Sequence, residues 1–200
     1  MMQEQEIHPW KWFAPPNSKV LIVGTFPTAK RNWKYEFFYP NTANLFWRIM
    51  AAILKTELKY FSGLDAVNER KEILRKLPIA ITDMGHTIIR NDNSSLDENL
   101  IVIEYMDIFQ ILEENPSINK ILFTSSSGIV SAVGWFNKFL KAKNIEHKFP
   151  KGIKPIKSKM EFKGRTIELV ILYSPSPRAS NRISFDKLVE MYQNEILGTN

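Results

Sequence analysis

The chain contains no cysteine, and that absence excludes a disulfide framework, thiolate zinc sites, cysteine-held iron–sulfur clusters and a cysteine nucleophile together. Histidine is scarce: His8, His86 and His147 are the only three, too few for a histidine-rich metal centre. No stretch reaches the roughly 18 consecutive apolar residues of a membrane-spanning helix. The opening MMQEQEIHPW lacks the basic-then-apolar order of a secretory signal, so a cytoplasmic protein with no membrane partner is the expectation. A glycine-rich phosphate loop is missing too. Thr28 and Lys30 do not reproduce GxxxxGK[ST], and Pro27 removes a backbone donor that such a loop would use, which takes nucleoside triphosphates off the table.

What is present is ordinary in bulk. With 200 residues, 44% of them hydrophobic and 24% charged, the chain suits a single domain over 1–200 and argues against disorder, collagen-like repeats or a coiled coil. The 27 Lys and Arg outnumber the 21 Asp and Glu, for a net charge of +6. Such an excess favours polyanionic partners, because each phosphate neutralised by a cation releases a condensed counterion.

Short apolar runs alternate with segments of helical period. Residues 19–24 (KVLIVG), 78–84 (PIAITDM), 120–124 (KILFT) and 166–173 (TIELVILY) read as buried strands. Between them, 43–54 places Leu45, Phe46, Ile49, Met50, Ile53 and Leu54 on one helical face. Residues 100–114 read as a helix closed by Asn115-Pro116. A further helix past Ser125–Gly128 carries Ile129, Val130, Val133, Phe136, Phe139 and Leu140, and a closing helix over 181–197 turns Leu188, Val189, Tyr192 and Ile196 inward. The basic stretch holding Lys148, Lys151, Lys154, Lys157, Lys159, Lys163 and Arg165 reads as a solvated loop or hairpin arm. Strands joined by crossover helices predict an α/β fold with a mostly parallel sheet covered on both faces. Ligands of such sheets sit beyond the carboxyl ends of the strands, here at 24–27, 82–85, 124–127 and 174–178.

Two of these exits stand out. The first leads into a segment dense in Phe26, Trp33, Tyr35, Phe37, Phe38, Tyr39, Phe46 and Trp47, interleaved with Lys30, Arg31 and Lys34. Aromatic faces stack on bases while cations meet phosphates, although aromatics also pack cores, the plainer role for Phe46 and Trp47. The last exit is SPSPRASNR, where prolines stiffen the backbone, serines allow close approach to a phosphodiester and Arg178 sits at the tip. The same segment also reads as an ordinary β–α turn with Ser180 or Asn181 as helix cap. Likewise Asn44 could cap a helix and Asp83 a turn, and His86 reads as a satisfied loop histidine.

The order GTFPT, FYPNTANLFW, AITDM, SPSPR resembles the uracil-DNA glycosylase superfamily, nearest the branch of mismatch-specific and hypoxanthine-DNA glycosylases. Gly24-Thr25-Phe26-Pro27 matches that branch's first motif, and Tyr39 with Asn44-Leu45-Phe46-Trp47 its second. The resemblance runs from residue 19 to about 195. It implies a three-layer α/β/α fold around a four-stranded mostly parallel sheet, and a monomeric, monofunctional DNA glycosylase that uses no metal and no cofactor. Its partner would be double-stranded DNA carrying a deaminated or mismatched base: uracil, hypoxanthine, or a G·T or G·U mismatch. Asn44 takes the catalytic position, Asp83 the place that reads the base edge, and Arg178 the wedge that fills the hole left in the duplex.

The chemistry assigns compatible parts. An oxocarbenium-like transition state needs a polar group to position water, a group stabilising the leaving base and an aromatic wall. Asn44, then Asp83 with Ser125, then Tyr39 or Phe38 against Phe26 fill these roles. Ser174, Ser176, Pro177 and Arg178 would contact DNA and offset the few kcal/mol of base extrusion. Phe26 replaces a catalytic Asn of mismatch-specific relatives, Thr28 a glycine, and Ser174 the histidine of efficient uracil-removing relatives. These departures favour a second reading, a catalytically silent DNA-binding member of the superfamily. A third is a small-molecule enzyme acting on nucleosides.

Overall fold

The structure, a computed structural model, describes residues 4–93, 96–177 and 182–198. Four parallel strands form its centre: β2 (Val20–Gly24), β3 (Ile79–Asp83), β6 (Lys120–Phe123) and β8 (Arg165–Ile171). The sheet nevertheless has five strands, in the order β3-β2-β6-β8-β7, which corrects the four-stranded expectation. The extra strand, β7 (Ile156–Phe162), pairs antiparallel with β8. It occupies the basic stretch read as a solvated loop or hairpin arm. Lys157, Lys159 and Glu161 alternate outward from partly or fully covered Ile156, Met160 and Phe162, and the charges obscure the period of two. Lys163 and Gly164, both at positive φ, make the two-residue turn that closes this hairpin.

Along the central strands the apolar side chains divide between two faces, as a pleated strand demands. Leu21, Val23, Ile121, Phe123, Leu169 and Ile171 pack against α3 (Ile108–Glu114) and α4 (Ala132–Ala142). Val20, Ile22, Ile79, Ile81, Leu122 and Val170 pack against α1 (Phe46–Ile53), α2 (Gly63–Lys76) and α5 (Phe185–Leu197). The result is helix on both sides of a sheet, with each fully buried large side chain contributing about 1.5–3 kcal/mol.

A second, antiparallel sheet joins β4 (Gly85–Arg90) and β5 (Leu100–Tyr105), both in the crossover from β3 to β6, to β1 (Gln5–Ile7), which precedes β2. It corrects the helix expected over 100–114: the first part is strand, and α3 starts only at Ile108. Asp107 decides the boundary, its Oδ1 accepting from the Phe109 and Gln110 amides at 3.0 and 3.2 Å. His86 is therefore a strand residue, within 3.1 Å of Glu104, and not a loop residue. The remaining helices start later than their periodicity suggests: α1 at Phe46, α4 at Ala132 behind the Ser131 cap, and α5 at Phe185 behind the Ser184 cap. Ser180 and Asn181 lie outside the described residues. No helix among the described residues is long and apolar enough to cross a membrane.

Candidate active site

The carboxyl ends of β2, β3, β6 and β8 border one cleft of about 710 Å³. It lies where the chain leaves β2 toward helices on one face and β6 toward α4 on the other, the topological switch that generates crevices in such sheets. Its floor begins at Gly24. A Cβ there would stand 2.1 Å from Asp83 Oδ1 and 3.3 Å from the Tyr39 hydroxyl, so glycine is what lets the carboxylate lie over the end of β2. Asp83 ends the adjacent β3 and is largely buried. Its Oδ2 lies 3.0 Å from Nε2 of His8, which comes from just beyond β1.

Tyr39 forms a wall. Its ring stacks on Phe46 at 4.2 Å and 21°, and its hydroxyl pairs with Thr124 Oγ1 at 2.8 Å. The Tyr39 backbone is left-handed, φ 51°, and its carbonyl accepts from the buried Tyr35 hydroxyl at 2.6 Å. Phe26, nearly buried, presents an edge to His8 and also lines the cleft. Thr28 is tied in by Asn32 Nδ2 at 3.2 Å on its hydroxyl and by Trp33 Nε1 at 2.6 Å on its carbonyl.

Asn44 borders the same cleft. Its Oδ1 accepts from the Phe46 amide at 2.9 Å, a cap at the start of α1, while Nδ2 has no hydrogen-bond partner among the described residues. The Asn44 turn is fastened to the last exit, since the Leu45 amide donates to the Pro175 carbonyl at 2.9 Å. There the Ser176 amide donates to Ser174 Oγ at 3.2 Å, fixing the SPSP loop. Ser125 also borders the cleft, with its hydroxyl bound to Thr25 Oγ1 at 2.7 Å and accepting from the Ala132 amide at 2.8 Å.

At the rim stand Lys154 and Arg182. Partial burial first, and the neighbouring Arg182 second, hold the Lys154 ammonium below the usual lysine range. Its Nζ lies 5.2 Å over the Tyr173 ring. Two like charges set close together make this rim receptive to an anion. An adjoining cavity of about 740 Å³ shares Lys154, Tyr173 and Arg182 but includes neither Gly24, Asp83 nor Ser125, so the strand-end chemistry belongs to the first cleft.

No protein-family model and no curated protein matches the chain. Its fold is similar to a known one: the solution NMR structure of "a putative Uracil DNA glycosylase from Methanosarcina acetivorans" aligns at TM-score 0.57 and 19% identity, covering 91% of each chain. At that identity the likeness concerns the fold.

Of the residues singled out from the sequence, the cleft brings together Asn44, Phe26, Tyr39, Asp83, Ser125, Ser174, Ser176 and Pro177. Phe38 is not among them. It is 1% exposed and its apolar ring packs in the core against Trp10 and His8, while its carbonyl accepts from Trp47 Nε1 at 2.9 Å. Arg178 lies outside the described residues. Lys30, Arg31 and Lys34 are exposed but do not line the cleft. Thr124 lies in the expected exit 124–127 and Arg182 ends the segment SPSPRASNR, but neither is given a role by the sequence, and His8 and Lys154 are placed at no exit. For Lys154 the sign in the sequence is the basic stretch, which folds back toward the cleft just ahead of β7. Among the described residues no group of three or more His, Asp or Glu side chains is placed to hold a metal ion.

Proposed function

We propose that this chain is a DNA base-excision glycosylase that acts as a single-domain monomer and hydrolyses the N-glycosidic bond of a flipped deaminated or mismatched base. The observation that carries the reading is the convergence of Asn44, Asp83, Tyr39 and the SPSP loop on one strand-end cleft. The sequence motifs and the fold likeness support it.

In this reading the base enters between Tyr39 and Phe26, and Asp83 Oδ1 accepts a hydrogen bond from its edge. Asn44 cannot take up a proton, so it works by orientation. Its Oδ1 is held by the Phe46 amide, which leaves the Nδ2 donor to fix the attacking water; as the C1′–N bond breaks, the water oxygen joins C1′ and its proton passes through solvent to the departing base nitrogen. Burial under the aromatic walls strengthens these contacts as charge develops on the sugar. Ser174, Ser176 and Pro177 meet the strand backbone, with Lys154 and Arg182 supplying charge for phosphates. Arg178 would be the wedge.

The test is incubation with duplexes carrying uracil, hypoxanthine, xanthine or a G·T mismatch. Alkali-labile scission at the modified base is expected, reduced on the order of 10²-fold in Asn44→Ala, while the lost cap lowers stability by only about 1 kcal/mol. The second reading, a silent DNA-binding protein, draws on the same Asn44 cap, because a side chain occupied in structure need not be catalytic. Tight, salt-sensitive duplex binding with no scission on any substrate would decide for it, and cleavage of free nucleosides without DNA affinity for a nucleoside enzyme.

A further inference from the structure

His8 is fully buried, and the proposed reaction gives it no part. Its ring is enclosed by the edge of Phe26 at 5.3 Å, by Trp10 at 5.7 Å and by Phe38 at 5.6 Å. Its backbone amide donates to the His86 carbonyl at 2.6 Å, which anchors it to β4. Nε2 meets Asp83 Oδ2 at 3.0 Å, while Nδ1 lies 2.7 Å from the Trp10 carbonyl and 3.2 Å from the Trp10 amide. Nδ1 thus meets one donor and one acceptor of Trp10 and is satisfied in either tautomer. The 3.0 Å Nε2···Oδ2 contact is a hydrogen bond, with one proton held between the ring and the carboxyl.

The two oxygens of Asp83 are consequently unequal. Oδ2 is taken by the ring, and Oδ1 lies over Gly24 at the cleft floor. The geometry points to His8 as a specificity-determining positioning residue: by keeping the pair's proton at Oδ2 it makes Asp83 Oδ1 an acceptor only, selecting bases that present a ring N–H of imide or lactam type. Uracil at N3 and hypoxanthine at N1 carry such a donor, whereas cytosine and adenine offer a lone pair at the same ring position. Without His8 no ring fixes Oδ2, and the carboxyl is free to turn and present either oxygen, lone pair or O–H, to that ring position. The substrate side of this inference rests on the proposed glycosylase reading. The pairing of His8 with Asp83 does not.

Three measurements test it. In the wild-type protein, nitrogen-edited NMR should show the His8 ring protons protected from solvent exchange, unlike the partly exposed His86; a His8 ring that exchanges as fast as His86 overturns the lock. Binding of free uracil against cytosine, and of hypoxanthine against adenine, should favour the first of each pair. His8→Leu should narrow that preference about 10-fold or more, and His8→Gln, whose amide can donate to Oδ2, should restore it. An unchanged preference in His8→Leu, or equal weakening for both members of each pair that His8→Gln does not reverse, overturns the assignment. If His8→Leu does not fold, the exchange measurement still decides. Free-base selectivity that follows the expected pattern while no duplex is cleaved would sink the glycosylase reading and leave His8 standing.

Discussion

Tyr35 shows how one core side chain holds the cleft wall. Its hydroxyl donates to the carbonyl of Tyr39, a residue whose left-handed backbone costs about 1–2 kcal/mol without such support. Burial, against the opposing pull of the Arg70 guanidinium, pushes the phenol from 10.0 up to about 12. The folded state thus holds this proton more tightly than the unfolded chain, so its stabilisation is complete below pH 10 and is lost between there and about pH 12. Tyr192, buried against the Tyr173 carbonyl, is raised by burial alone and adds to the same alkaline decline. Tyr35→Phe should lower stability near neutral pH by about 1 kcal/mol and flatten the loss above pH 10, as followed by denaturant unfolding at several pH values. A mutant whose alkaline decline runs parallel to the wild type would show that Tyr35 has no share in it.

At the scale of elements, the small antiparallel sheet matters because it braces the loop after β2. Arg90, at the end of β4, makes a two-pronged pair with Glu6 of β1 at 2.8 and 3.1 Å and donates to the Pro27 carbonyl at 2.8 Å. Its guanidinium also lies 5.8 Å from the centre of the Phe26 ring. The side chain is only 3% exposed, so it is a fixed strut and not a surface pair. Arg90→Met keeps much of the volume and removes the donors. It should cost about 1–3 kcal/mol and, if the chain is the proposed glycosylase, lower kcat on a modified duplex more than it weakens duplex affinity, because the 25–28 loop shifts while the SPSP loop stays in place. Steady-state kinetics beside a thermal melt would check this; an unaltered kcat would mean that the loop holds its position without Arg90.

For the whole molecule, the net charge of +6 becomes specific once the rim is known. Lys154 and Arg182 stand on the cleft, and the exposed Lys30, Arg31 and Lys34 lie in the segment that follows the first exit. On the proposed DNA-binding reading, duplex affinity should fall linearly with the logarithm of salt concentration, and Lys154→Gln should reduce the slope by about 0.9, one phosphate contact, with little change in base preference. An unchanged slope would take Lys154 out of the proposed DNA contact.

Local patterns carried a good deal. Strands of period two, helices of period 3.6 and the small polar residues at strand ends are properties of neighbours in the chain, so the four parallel strands and most of the cleft lining could be read from their order. Where charges mask the period, as at Lys157 and Lys159, the choice between loop and hairpin arm stays open until pairing with β8 makes the stretch a hairpin arm; where a cap breaks the period, as at Asp107, part of an expected helix is strand. Tertiary structure alone decided contacts between distant segments: His8 with Asp83, 75 residues apart, and Thr25 with Ser125, 100 apart. It also put Phe38 in the core and Tyr39, its neighbour in sequence, on the cleft. Burial and hydrogen bonding are satisfied between pairs of groups that only the folded chain brings together, and no local spacing encodes which oxygen of Asp83 faces a histidine and which faces the cleft.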